Sequence, residues 1–131
     1  PASCATLLRK LQIAPDATEQ QLVPLCMTRR FGGVSALGMA LALKTLSADK
    51  GWRVAILNPD WETFCRLRKP VLCSVRLSSL VTHAIVVLAV DDTRGVQVAD
   101  PVSGMSWWST DEFRAQFLNE VVTLYRETPF L

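Results

Sequence analysis

A length of 131 residues suits one domain, taken as residues 1–131. Half of the residues are hydrophobic, which excludes a disordered chain and supplies one core. The 14 basic and 12 acidic side chains leave a formal charge of +2, and the basic residues are scattered, which argues against a nucleic-acid binder.

Cys4, Leu7, Leu8 and Leu11 recur at helical spacing, so residues 2–12 read as a helix with one buried stripe. Pro15 and Asp16 break it. A second helix is expected at about 17–27, with Pro24 bending or shortening it. Gly32 and Gly33 form a junction, and Ser35 is the expected N-cap of a third helix over 36–49. Its small residues Ala36, Gly38 and Ala40 suit close approach to a neighbour.

Trp52 to Leu57 alternates as a strand, and Asn58 and Pro59 are read as opening a short helix to about Leu67. Strands follow at Val71–Arg76, His83–Val90, Val96–Ala99, around Met105–Trp108 and at Val121–Tyr125. Ser109 with Glu112 is a capping-box pattern for a helix to about Leu118. One of Trp107 and Trp108 should face outward, while Trp52 and Trp61 are read as core or edge residues. Helices first and then a mostly antiparallel sheet make the fold class α+β, with helices packed on one side of the sheet.

The longest clean apolar run, Ala84 to Val90, is far short of the roughly 20 residues that a membrane-spanning helix needs. Arg9 and Lys10 interrupt any signal peptide. The start at Pro1 suggests a processed or trimmed piece, and Thr128-Pro129-Phe130-Leu131 reads as a linker into something further on. Cys4, Cys26, Cys65 and Cys73 lack the spacing of a zinc or redox motif, so free thiols in a reducing compartment are expected. Neither a metal nor a cofactor is expected.

His83, the one histidine, follows the polar residues Ser78, Ser79 and Thr82 and opens the most apolar strand. It is either a strand-end histidine or a proton carrier. Asp100 ends the next strand and is either a turn-forming Asp before Pro101 or the carboxylate that orients the imidazole. Hairpin counting around Thr93 leaves the two about three residues out of register, roughly 10 Å along the strand. A bend or bulge at the strand end is needed to close that gap, with Nδ1 of His83 expected to face Asp100. Cys4, near a helix start, is the first candidate nucleophile, yet it shares a face with Leu7, Leu8 and Leu11. Serines 78, 79 and 103 lack a nucleophile elbow.

Five stretches in order resemble the papain-like peptidase domain of bacterial double-glycine bacteriocin exporters. Pro1-Ala2-Ser3-Cys4-Ala5-Thr6-Leu7-Leu8 is similar to the stretch just after that family's Cys-Gly nucleophile. Gly33-Val34-Ser35-Ala36-Leu37-Gly38 resembles its glycine-then-Ser/Thr motif, and His83-Ala84-Ile85-Val86-Val87-Leu88 its histidine strand. Val98-Ala99-Asp100-Pro101 with Gly104 resembles its Asp-Pro-x-x-Gly turn, and Ser109 to Phe113 its Ser-x-x-Glu-Phe helix start.

The resemblance implies a papain-like fold with His83 as general base and Asp100 as its orienting partner. It places the nucleophilic Cys two residues before Pro1, with the oxyanion Gln further upstream, so this chain alone is expected to be inert. Assigning Cys4 instead would put Arg9 and Lys10 where the family buries Leu and Ala. The implied activity is cleavage of a double-glycine leader from an exported polypeptide. The alternative is an inactive domain that binds the unfolded substrate of a type I secretion exporter. The implied partners are a peptide or unfolded polypeptide and an associated or fused ABC transporter, and the implied place is cytoplasmic, at the inner face of a bacterial membrane.

Overall fold

The computed structural model describes residues 2–13, 18, 20–21, 36–79, 81–101 and 103–126. Six strands form one sheet: β1 (Arg53–Leu57), β2 (Val71–Arg76), β3 (Thr82–Asp91), β4 (Gly95–Asp100), β5 (Gly104–Trp108) and β6 (Phe117–Tyr125). Their order is β1-β6-β2-β3-β4-β5, and every pairing is antiparallel. The central strands β2 and β3 are rich in valine, a branched residue that packs well on a pleated surface covered on both sides.

The helices are α1 (Ala2–Lys10), α2 (Ala36–Ser47), α3 (Trp61–Arg66) and α4 (Thr110–Gln116). α2 continues as a 3-10 turn through Lys50 and stops at Gly51, whose φ of 81° suits glycine. The helix expected at 17–27 and the Ser35 cap lie mostly or wholly outside the described residues. Within that stretch, Thr18 and Gln21 exchange reciprocal hydrogen bonds, a capping box, and residues 20–21 are helical.

One expectation needs correcting: the helices cover both faces of the sheet. Leu7, Leu8 and Leu43 of α1 and α2 pack against Leu72, Val86 and Val122 on one face. Phe64 of α3 and Phe113 of α4 pack against Val71, Ile85 and Val98 on the other. The period-2 alternation of strands buried on both sides accounts for this, since each face needs its own cover. Gly38, Ala36 and Ala40 of α2 are buried as small residues at its contact face.

A second correction concerns the start of α3. Its cap is Asp60, whose carboxylate accepts from the Thr63 N–H at 2.8 Å, while Asn58 donates instead to the Asn119 carbonyl. The Ser109 cap of α4 is present, accepting from the Glu112 N–H at 3.1 Å.

Candidate functional site

His83 lies on β3 opposite Val75 of β2, and Asp100 is the last residue of β4. From the hairpin, Asp91 pairs with Gly95, Val90 with Val96 and Ala89 with Gln97. The next pairs are Val87 with Val98 and Val86 with Ala99, so Leu88 is an extra residue in β3, a β-bulge. One further step sets Asp100 across from Ile85.

The bulge does two things. It cuts the offset between His83 and Asp100 from three residues to two. It also changes parity. Without it Asp100 would face Val86, whose side chain points to the sheet face opposite His83; with it Asp100, Ile85 and His83 share one face. A separation of two residues, about 7 Å, is within reach of two side chains leaning together. His83 Nε2 lies 3.0 Å from Asp100 Oδ1, with the side chains 20% and 9% exposed.

The expected closing bend is therefore a mid-strand bulge, and the contact is made by Nε2 rather than Nδ1. An imidazole has a nitrogen on each side of its ring, and either can carry the proton that a carboxylate accepts. Asp100 on Nε2 favours the Nε2–H form and leaves the lone pair on Nδ1, the nitrogen turned away from Asp100. The nitrogen that meets Asp100 is the opposite of the one expected, while the contact that can hold one tautomer is kept.

The first turn of α1 meets the same strand end. Ser3 Oγ donates to the Ala84 carbonyl at 2.5 Å, beside His83, and Ser3 is 2% exposed. Sequence reading missed this contact; the signal available was a serine in the first turn of an apolar helix stripe.

Cys4 is fully buried in the core with Leu7 and Leu8, so no substrate carbonyl can approach its sulfur. Burial pushes the half-buried Cys65 thiol up, and it pushes Cys73 up further still. No thiol among the described residues is therefore both accessible and activated; Cys26 lies outside them. Among the same residues no group of His, Cys, Asp or Glu is arranged to hold a metal ion. Nor is any helix there long and apolar enough to cross a membrane.

No protein-family model matches the chain, and no curated protein matches it. Solved structures do. The peptidase domain of Streptococcus ComA, a bi-functional ABC transporter involved in a quorum-sensing pathway, superimposes with a TM-score of 0.80 at 19% identity over 95% of this chain and 88% of that one. A double-glycine motif protease from an AMS/PCAT transporter, solved with its leader peptide, gives 0.77 at 17% identity over 93% and 79%. The N-terminal peptidase C39-like domain of a toxin-secretion ATP-binding protein from Vibrio parahaemolyticus gives 0.68 at 12% identity over 97% of each chain. The chain thus has the α+β fold of the papain-like peptidase domains of ABC transporters, as its sequence motifs suggested.

Proposed function

We propose that the chain is a cysteine-peptidase-type domain that recognises and cleaves the double-glycine leader of an exported polypeptide, working with an ABC transporter at the inner face of a membrane. The observation that carries this reading is the His83–Asp100 contact at 3.0 Å in a fold shared with leader-cutting domains. The nucleophile is a Cys two residues before Pro1 of the encoded protein. That position is four residues before Ser3, and Ser3 holds the first turn of α1 beside His83 by its hydrogen bond to the Ala84 carbonyl.

In the reaction the Nδ1 lone pair of His83 takes the thiol proton and Asp100 holds the imidazolium formed. The thiolate attacks the carbonyl carbon of the second glycine, and its bond to the next residue's nitrogen breaks as His83 returns the proton to the leaving amine. Water then hydrolyses the thioester. Backbone N–H groups and the upstream Gln stabilise the oxyanion.

The test is cleavage of a double-glycine leader peptide by the encoded protein including the residues before Pro1. His83→Ala should lower kcat by about 10³-fold or more, and Asp100→Asn by about 10²–10⁴-fold. No cleavage by the unsubstituted protein would overturn the peptidase reading. A second reading, an inactive domain that binds unfolded substrate, is favoured by the lack of an accessible, activated thiol among the described residues. Saturable binding of the leader peptide without cleavage would establish it.

A further inference from the structure

The sheet has an open end at β5. Its inner neighbour is β4, and among the described residues nothing pairs with its other side. The orientation of its backbone can be read from Gly95. A Cβ built there would come within 2.1 Å of the Trp108 carbonyl oxygen, so that carbonyl points at β4. In an antiparallel strand a residue's N–H and C=O point to the same side, and the side alternates along the chain. Trp108, Ser106 and Gly104 therefore direct their backbone groups inward. Met105 and Trp107 direct theirs outward, two N–H and two C=O groups along an open edge.

The side chains add to this. Met105 and Trp107 pair with Ala99 and Gln97, which places them on the α1 face of the sheet. α1 packs over β2, β3 and β4. Met105 is 59% and Trp107 39% exposed, with the Arg94 guanidinium 5.6 Å from the Trp107 ring centre. Strand edges are usually guarded by Lys, Pro or an inward charge. Gly104-Met105-Ser106-Trp107-Trp108 carries no charge and no proline.

We propose that the β5 edge binds an extended polypeptide segment by strand addition, with apolar side chains at alternate positions lying on Met105 and Trp107. Only an extended backbone matches a row of outward N–H and C=O groups at strand spacing. Two outward residues offer four hydrogen bonds and two side chains, far less than the roughly 1,200–2,000 Å² that stable protein pairs bury. That limit favours a transient peptide over a second copy of this chain. Gly104 sits opposite Asp100, so a segment paired with β5 has one end at the His83–Asp100 end of the sheet. The site does not depend on peptidase activity, because it uses neither His83 nor a nucleophile.

The experiment titrates the 131-residue chain with a lysine-flanked peptide of alternating valine and threonine, following backbone amides by NMR. The Met105 and Trp107 amides should exchange with solvent at least about tenfold more slowly at saturation, while Ser106 and Trp108 are unchanged. The same peptide N-methylated on the edge it would turn toward β5 should not bind. Trp107→Pro, which removes one outward donor, should weaken binding at least about tenfold; should that variant not fold, the N-methylated peptide decides. No added protection at Met105 and Trp107 at millimolar peptide would overturn the proposal, as would equal binding of the N-methylated peptide. Protection that grows with protein concentration alone, with dimers in sedimentation, would give the edge to a second copy and overturn it too.

Discussion

The two faces of the sheet are packed with different kinds of side chain. The buried side chains of the α1/α2 face carry no ring and are mostly aliphatic and small, with Ala5, Leu8, Ala42 and Leu43 against Leu72 and Val86 and a partly buried Trp52 packed against them. The α3/α4 face is aromatic: Phe64, Phe113 and Phe117 have ring centres 4.9–5.6 Å apart, with Trp61 and Trp108 at their rim. Small residues let a helix backbone approach the sheet closely, so polar contacts such as Ser3 to Ala84 can set its position. α3 and α4, at 6 and 7 residues, are too short to be stable alone and are held by the ring that each buries. His83 and Asp100 lie by parity on the aromatic face, while α1 reaches the same strand end from the other. The candidate site is therefore assembled where the two cores meet.

The sharpest way to break this comparison is to remove one anchor from each face. Phe113→Ala takes away the only fully buried side chain of α4 and should cost about 3–5 kcal/mol in denaturant unfolding. The amides of 110–116 should then exchange nearly as fast as an unfolded chain. Leu43→Ala should also cost about 2–5 kcal/mol, yet α2 keeps several other buried residues and should stay protected. Protected α4 amides in the Phe113 variant would refute single-ring anchoring.

Deleting Leu88 tests the junction of the two cores. Without the extra residue, Val87 and Ala89 become neighbours and keep Val98 and Gln97 as their partners, so Asp100 stays across from Ile85 and His83 stays on its face. The expected cost is on the order of 1–3 kcal/mol, with the hydrogen-bonded imidazole N–H signal kept in proton NMR. Loss of that signal in a folded deletion variant would show that the bend of the bulge, and not parity alone, brings the pair together.

The same bulge shows where sequence legibility ends. The strands could be read because valine-rich runs are bounded by Pro70, by Asp91-Asp92-Thr93-Arg94 and by Pro101. The Ser109 cap could be read because Ser and Glu stand at capping-box spacing. The bulge at Leu88 could not, since an apolar residue in an apolar strand carries no mark of being unpaired. Asn58 and Asp60 are both good caps, and Pro59 at a helix start favoured the earlier one; the Asn119 carbonyl claims Asn58. β6 begins four residues before Val121, because Asn119 with φ 58° bends an irregular entry against Cys73 and Val75. Which imidazole nitrogen meets Asp100 depends on a side-chain torsion that no pattern reports. Helices on both faces were implicit in β2 and β3, buried on alternate sides, but sequence order grouped the first two helices and drew attention to one face.

A smaller effect probes the polar side of the comparison. Ser3→Ala leaves the Ala84 carbonyl without its hydroxyl donor in a buried place and should cost about 1–2 kcal/mol. The loss should appear as faster amide exchange in the first turn of α1 with the aromatic face unchanged. An equal change at Phe113 would mean that the two cores are one cooperative unit.

The smallest effect separates the two short helices of the aromatic face by pH. The Thr63 backbone N–H holds the Asp60 carboxyl below its ordinary value of 3.8, whereas the Ser109 hydroxyl that caps α4 does not titrate in this range. A carboxyl whose pKa falls on folding contributes stability that is complete above the unfolded value and is lost as pH drops through the folded one. Protection of Thr63 and Phe64 should therefore weaken as the medium is acidified below about pH 4. Asp60→Asn retains a capping oxygen without the charge, so it should keep α3 capped at neutral pH and remove that acid step. If acid loosens Thr63 and Phe64 equally in the Asn variant, the step belongs to another carboxylate. Asp60 would then be a cap of geometry alone, as Ser109 is.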